Sequence, residues 1–394
     1  MVIEKITEGK ARILAYTGRI QEISKKAAVF YNPKMKHNRD ISVLALTVFQ
    51  EELSARAQSQ GAKKESIKSQ KGENGIVVAD CLSATGVRGI RYALEVPQIF
   101  EVIFSDLNPA AIKLIKKNVA ENKIKNATIE EEDAVITLAR RKSKIDFIDI
   151  DPFGTPIQFL DSSARAISLH GMLAITATDT APLSGTYPRA AYRKYGAKSM
   201  RCDMQHELGI RILIANIVRD CAKYDKGFTP VLSFSELHYF RVFGRVKRSK
   251  SAADISMRSI GYFIFCKKCG RREFMPDNCR KECADCGEKT NYAGPLWNGR
   301  IFDSDFCAKV FEKSKPMNDA QLLKLLGVIR EESLIDAPWY ELGTLASIFR
   351  VNPPRIDAFI EKLRKAGFRA SRTHFSPTGV RTDANLLEIR SRLR

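Results

Sequence analysis

No run of about eighteen apolar residues occurs in the chain, so nothing in it reads as a membrane-spanning helix. The opening residues, MVIEKITEGKARIL, carry no apolar core of the kind a secretory leader needs, and a cytoplasmic location is expected. Acidic residues are in deficit: 45 Asp and Glu stand against 65 Lys and Arg, a formal charge of +20. That imbalance suits either a soluble basic surface or a polyanionic partner, whose phosphates release counterions on binding. No basic amphipathic helix with bulky apolar residues stands out, which disfavours an anionic membrane as that partner. Internal repeats are absent. Cysteine is scarce outside one stretch. Of nine, Cys81, Cys202, Cys221 and Cys307 are scattered, whereas Cys266, Cys269, Cys279, Cys283 and Cys286 cluster. Clustering in a long chain argues for a metal site and against a disulfide framework.

With 394 residues and 44% hydrophobic content the chain is long enough for two or three cores. A strand is expected at Lys10 to Ala15. A helix is expected from Asp40 to Ala57, with Asp40 as its N-cap, and then a polar linker, GAKKESIKSQKGENG. Beyond it short apolar runs alternate with helical stretches. Ile76 to Asp80, Ile99 to Phe104, Ala127 to Glu131, Ile145 to Ile150 and Gly171 to Ala177 read as strands. Pro109 to Asn122 and Thr155 to Ser168 read as helices between them. This alternation predicts a parallel sheet covered on both faces. A helix from Gln205 to Tyr224 and a closing hairpin, Val231 to Phe234 with His238 to Phe243, follow. The basic run from Arg245 to Lys250 marks an expected domain boundary.

Acids close the strands in turn: Asp106, then Asp133 followed by Ala134, then Asp151, then Asp179. In open α/β sheets a ligand lies at the carboxyl ends of the strands. The turn after the first strand, Asp80 to Gly89, is rich in small residues but lacks the three-glycine dinucleotide fingerprint. Asp106 can accept from ribose hydroxyls, and Asp133 from an adenine amine. Each could equally cap the helix behind it, Asp106 the one beginning at Pro109. Three such acids in register favour the ligand.

The fourth strand ends in Asp149-Ile150-Asp151-Pro152-Phe153-Gly154, which resembles the Asp/Asn-Pro-Pro-Tyr/Phe signature of methyltransferases acting on exocyclic amines. The residue types suit that chemistry. Such an amine is a poor nucleophile because its lone pair is delocalised, so acceptors at its N–H bonds are needed. Asp151 supplies a carboxylate, Pro152 a rigid carbonyl, and Phe153 a face for an everted base. One carboxylate can accept from both N1–H and N2 of guanine, which mildly favours guanine over adenine.

Further motifs extend the likeness along the chain: Phe30 to Met35 with Asn38-Arg39-Asp40, Leu82 to Arg91, Ala177 to Leu183, and Thr373 to Gly379. Together these resemble the archaeal and eukaryotic tRNA guanine-N2 dimethyltransferases that act on position 26. The resemblance implies an S-adenosyl-L-methionine donor and tRNA as substrate, with mono- and dimethylation of N2. It implies Arg39, Arg88, Asp106, Asp133 and Ala134 as cofactor residues, Asp151 as the catalytic residue, and Phe30 and Phe153 about the guanine. By residue chemistry alone Phe30 reads as core and Arg39 as a surface or cap-proximal charge.

The paired Cys-x-x-Cys knuckles, Cys266 with Cys269 and Cys283 with Cys286, predict a closed tetrahedral zinc ribbon of structural role, with Cys279 a spare. Helices near 318–332, 338–349 and 354–366 are then followed by a strand, Phe368 to Thr373. A turn at Ser376 to Gly379 and a second strand, Val380 to Thr382, complete a winged-helix-like module. The expected architecture is α/β. A class I methyltransferase-like (Rossmann-like) mixed sheet occupies 1–250. A smaller α+β tRNA-binding region occupies 251–394, with the ribbon at about 261–294 and the winged-helix-like module at about 318–390. Two competitors stay open: a non-catalytic zinc and winged-helix nucleic-acid binder, and an amino-methyltransferase acting on rRNA or DNA.

Overall fold

The structure is a computed structural model that describes residues 2–17, 28–59, 75–277 and 280–393. The polar linker, save Gly75, and Cys279 lie outside the described residues. The chain divides into two compact units. Met1–Pro152, Gln158–Thr176 and Phe243–Arg248 make the first, and Phe153–Ile157, Ala177–Val242 and Ser249–Arg394 the second.

The first unit opens with an antiparallel hairpin, β1 (Val2–Glu8) and β2 (Ala11–Thr17). The sequence reading found only the second of these strands. Helix α1 spans Lys36–Ser59, four residues earlier than expected, because the chain enters it through a short turn, Pro33–Met35, capped by the Asn32 side chain. Asp40 is therefore not a cap. It is buried inside the helix and paired with Arg91 and Lys36.

Then come β3 (Ile76–Cys81), α2 (Val87–Glu95), β4 (Ile99–Asp106), α3 (Pro109–Glu121), β5 (Ala127–Glu131), α4 (Ala134–Ala139), β6 (Ile145–Ile150), α5 (Ile157–Ala166) and β7 (Ile167–Ala177). β3 pairs in parallel with β4 and with β6, β4 with β5, and β6 with β7. With β8 (Lys226–Glu236) and β9 (Tyr239–Arg248) the sheet order is β5-β4-β3-β6-β7-β9-β8. The order reverses around β3, and a ligand crevice forms where such a reversal occurs. The alternation of buried strands and amphipathic helices predicted this part of the fold. One core joins β2, α2, β4 and α3 through Ile13, Ile90, Val102, Phe104, Ile112 and Ile115. Gly89 sits where α2 crosses β4, and an added Cβ would lie 2.4 Å from the Phe104 ring.

In the second unit short helices α6 (Thr180–Leu183) and α7 (Pro188–Tyr195) precede α8 (Gln205–Ala222), which is almost wholly buried. After α9 (Lys250–Arg258), strands β10 (Ile260–Phe265), β11 (Arg272–Met275) and β12 (Asn291–Trp297) form a three-stranded sheet in the order β11-β10-β12. The basic run thus finishes β9 and, past the cap Ser249, starts α9.

Helices α10 (Ser304–Ser314) and α11 (Ala320–Glu332) lead to β13 (Trp339–Glu341), α12 (Leu342–Phe349), α13 (Ile356–Lys365), β14 (Ala370–Thr373), β15 (Ser376–Thr382) and α14 (Leu386–Arg392). The three helices and the wing match the expectation in kind, with two corrections. The helix expected at 338–349 begins with a strand, because Trp339 to Glu341 pair with Gly379 to Arg381. The expected turn at Ser376 to Gly379 is strand instead. The reversal falls at His374-Phe375, and a register shift just before Thr373 lets Pro377 and Gly379 sit in the sheet. Leu345, Phe359, Leu363, Val380 and Ile389 close this core.

Candidate active site

The parallel registers place the carboxyl ends of β3, β4, β5 and β6 along one edge. Asp80 lies opposite Phe104 and Asp149, and Asp106 opposite Glu131. Asp106, Asp133 and Asp151 therefore leave the sheet on the same side.

The turn between β3 and α2 is backbone-strained. Leu82 and Ala84 adopt left-handed φ of 64° and 51°, and Gly86 caps α2 at φ 77°. Non-glycine residues in that region are uncommon and concentrate at ligand sites. Asp106 holds the turn from across the sheet. Its Oδ2 accepts from Ala84 N at 2.8 Å, and its Oδ1 from Asn108 N at 2.9 Å. The cap of α3 is Asn108, not Asp106. Asp133 does cap, its Oδ1 accepting from Val135 N at 2.7 Å, and Ala134 is buried as the first residue of α4. Each carboxylate keeps acceptor capacity beyond these bonds.

Arg88 is the hub. It is buried on α2, and its Nη1 donates to Asn38 Oδ1 and Ser42 Oγ, both at 2.9 Å. The same nitrogen lies 3.5 Å from Asp149 Oδ2, and Nη2 pairs with Asp151 Oδ2. Tyr92 Oη donates to Asp149 Oδ2 at 2.5 Å. One guanidinium thus serves two carboxylates directly, and Asp80 stands behind them with its Oδ2 accepting from Gly89 N. Burial pushes the Asp80 carboxyl up to about 7. Arg88 opposes this, and Asp149 adds to it. Asp151 is the member that reaches solvent, with its side chain 21% exposed against none for Asp149. Beside Arg88 the Asn38 Nδ2 is buried without a hydrogen-bond partner among the described residues. Arg88 fixes the Asn38 oxygen, so the orphan is a donor, and it suits an acceptor group brought by a ligand.

Arg39, expected at the surface on residue chemistry alone, is buried. Its Nε and Nη2 each lie 2.6 Å from a Glu8 oxygen, and its guanidinium stands over the Tyr31 ring. Arg91 also reaches Glu8, at 3.0 Å. Burial raises the Glu8 carboxyl, but Arg39 and then Arg91 outweigh it and hold the group at about 2. Phe30 is half-buried. Pro152 is buried, and Phe153 is 66% exposed at the start of the second unit.

Within the second unit Thr178 clasps the Asp-Pro-Phe-Gly loop. Its Oγ1 accepts from Gly154 N at 2.6 Å, and its N donates to Gly154 O at 2.9 Å. Sequence reading gave no role to Glu8, Arg91, Asn38, Ser42 or Tyr92, although Asn38 and Arg91 lie inside motifs it singled out. Asp149 carried a signal, since it alternates with Asp151 along β6 and so points to the same face.

The Sγ atoms of Cys266, Cys269, Cys283 and Cys286 all lie within 4.8 Å of one another, with 3.6 Å between Cys266 and Cys286 and 3.5 Å between Cys269 and Cys283. A tetrahedron with ~2.3 Å zinc–sulfur bonds has edges of about 3.8 Å, so this donor set fits a closed structural Zn(II) site. Each knuckle turns through a left-handed glycine, Gly270 or Gly287.

The family pattern for N2,N2-dimethylguanosine tRNA methyltransferase matches residues 8–394. The chain is similar to the tRNA (guanine(26)-N(2))-dimethyltransferase of Methanothermobacter thermautotrophicus, at 38% identity over 98% of this chain and 97% of that one. It is similar to the enzyme of the same name from Thermococcus kodakarensis, at 39% identity over 98% and 97%. Its structure is similar to that of Trm1 from Pyrococcus horikoshii in complex with S-adenosyl-L-methionine, with a TM-score of 0.84, 34% identity and full coverage of both chains.

Proposed function

The chain belongs to the N2,N2-dimethylguanosine tRNA methyltransferase family, and we propose that it transfers methyl groups from S-adenosyl-L-methionine to the exocyclic N2 of a guanine in tRNA, at position 26, giving mono- and dimethylated products. The observation that carries this reading is the partly exposed carboxylate of Asp151. One oxygen is tied to Arg88, and Oδ1 accepts no hydrogen bond from a described residue.

The bound donor would supply a sulfonium-activated methyl group. Asp106 would accept from its ribose and Asp133 from its adenine amine, with Ala134 beside them. Arg88 and the orphaned Asn38 amide offer donors to its carboxylate. Arg39 offers a third through Nη1, which no described residue takes, while its Nε and Nη2 stay on Glu8. Asp151 would orient the guanine by accepting from its N–H groups and take the N2 proton as the methyl arrives. The Pro152 carbonyl would share the acceptor role. Phe30 and Phe153 would hold the ring of a base everted from the folded tRNA. Residues 1–250 would carry the chemistry and 251–394 the grip on tRNA, with zinc holding the ribbon in shape. The chain has no helix long and apolar enough to cross a membrane among its described residues, and we place it in the cytoplasm with its substrate.

The test uses unmodified tRNA, labelled donor and nucleoside analysis. The wild type should yield N2-methyl- and N2,N2-dimethylguanosine. Asp151→Ala should lower methyl transfer by on the order of 100-fold or more while tRNA binding persists. Normal turnover by that variant would refute the assignment.

A further inference from the structure

Helix α7 is anchored on one side only. Ala191 and Tyr195 are buried, the Tyr195 hydroxyl donates to Asp179 at 2.6 Å, and Lys194 pairs with the same carboxylate at 3.1 Å. Just beyond the helix, Lys198 and Gly294 exchange two backbone hydrogen bonds. The other side is open. Tyr187 is 61% and Tyr192 69% exposed, and Arg189 and Arg193 are exposed with them. None of these four side chains has a hydrogen-bond or ion-pair partner among the described residues.

The spacing matters. Arg189, Tyr192 and Arg193 stand at i, i+3 and i+4, so one helix face carries two guanidinium groups and a ring between them. Like charges at i, i+4 repel, and an anion lodged between them relieves that repulsion. An aromatic ring flanked by unpaired cations matches the alternation of π-faces and phosphates along an unstacked nucleic-acid strand.

The face is also tied to the Asp-Pro-Phe-Gly loop. Asp179, which holds Lys194 and Tyr195, directly follows Thr178, which clasps Gly154 next to Phe153. From these observations we propose that the exposed face of α7 is an RNA-contacting surface. It holds the tRNA strand next to the everted guanine, with Arg189 and Arg193 on phosphates and Tyr192 or Tyr187 under a neighbouring base. This rests on the functional reading above and extends it to residues that reading leaves unused.

The experiment measures tRNA affinity of the full-length, zinc-loaded protein across a salt series, with donor binding by calorimetry as the control for an intact first unit. Arg189→Glu with Arg193→Glu should weaken tRNA binding on the order of tenfold or more and reduce the log–log salt slope by about 1.5, the counterion release of two lost phosphate contacts. Tyr192→Ala should cost roughly tenfold and leave the slope unchanged, whereas Tyr192→Phe should bind like wild type. Wild-type affinity and slope in the double charge reversal would overturn the surface assignment. The binding measurement reads this surface whether or not methyl transfer is seen. Absence of methyl transfer by the wild-type chain is the separate failure of the functional reading.

Discussion

Two buried clusters of charge, one in each unit, both set arginine against carboxylates and are arranged differently. In the first unit Arg88 faces Asp80, Asp149 and Asp151, one cation among three carboxyl groups, with Asp151 open to solvent. In the second, Glu207 and Glu332 meet Arg211 and Arg381, two against two, with side-chain exposures of 0 to 4%. There every oxygen is committed. Glu207 Oε1 takes Arg211, and Oε2 takes Arg381 at 2.7 Å. Glu332 Oε2 takes Thr373 and Arg381, and Oε1 takes His374 through Nδ1 and the backbone N. The free ends of the two arginines reach the carbonyls of Trp297, Gly299 and Ala337. A cluster that is balanced and closed has nothing left with which to do chemistry, and it joins α8, α11 and the wing. A cluster with surplus carboxyl groups and one exposed oxygen keeps something in reserve for a ligand.

The largest effect is expected from opening the closed cluster. Arg381→Met keeps most of the side-chain volume but leaves Glu207 and Glu332 facing each other without their shared cation. Removing one partner of a buried pair costs about 3–5 kcal/mol. Chemical denaturation should show a loss of that size, with the donor affinity of the first unit unchanged. A loss below ~1 kcal/mol would mean that the closed cluster contributes no more than a surface pair, and the contrast would fail.

Next in size is the acid limb. Burial raises the Glu332 carboxyl, but His374, then Arg381 and Thr373, outweigh it and hold the group at about 2, below its ordinary 4.5. A depressed native value means the stabilisation is complete above about 4.5 and is lost as pH falls through about 2. The full amount is on the order of 3 kcal/mol. Glu332→Gln should remove that dependence, leaving a protein less stable at pH 6 but with a flatter decline between pH 4.5 and 2. An unchanged acid limb in the variant would assign the decline to other carboxylates, Glu8 first among them.

The two clusters also differ in how far they could be read in advance. The strand-end acids were legible because period and punctuation are local. Each apolar run stops at an acid, and a parallel sheet gathers those ends by its own geometry. The zinc knuckles were legible for the same reason, as ligands three residues apart announce themselves. The ion pairs were not. Glu8 meets Arg39 across 31 residues and Arg91 across 83, and Glu207 meets Arg381 across 174. No pattern in the intervening chain marks either end, so a charged residue such as Arg39 reads as surface until its partner is known. Asp40 shows the reverse error. An acid before a helical period reads as a cap, but Asn32 and Pro33 start the helical path earlier and draw Asp40 inside, where Arg91 neutralises it.

The smallest effect of substitution itself, read near pH 4, is expected at Asp80, and it sharpens the contrast by its sign. Here the native value is raised, from 3.8 to about 7, by burial first and by Asp149 next, against the pull of Arg88. The protonated native form is therefore favoured. Its contribution is complete below about 3.8 and is lost as pH rises through about 7, the opposite direction from Glu332. The Gly89 N–H donates to Asp80 Oδ2 at 2.9 Å, a bond that an amide oxygen accepts equally well. Asp80→Asn should thus match wild-type stability within about 1 kcal/mol near pH 4, abolish the decline between pH 4 and 7, and so be the more stable form at pH 7. Denaturation midpoints across that interval decide the matter. A wild-type profile already flat there would mean that Asp80 is ionised beside Asp149 and Asp151, and that the surplus charge around Arg88 is carried by the protein rather than discharged by a proton.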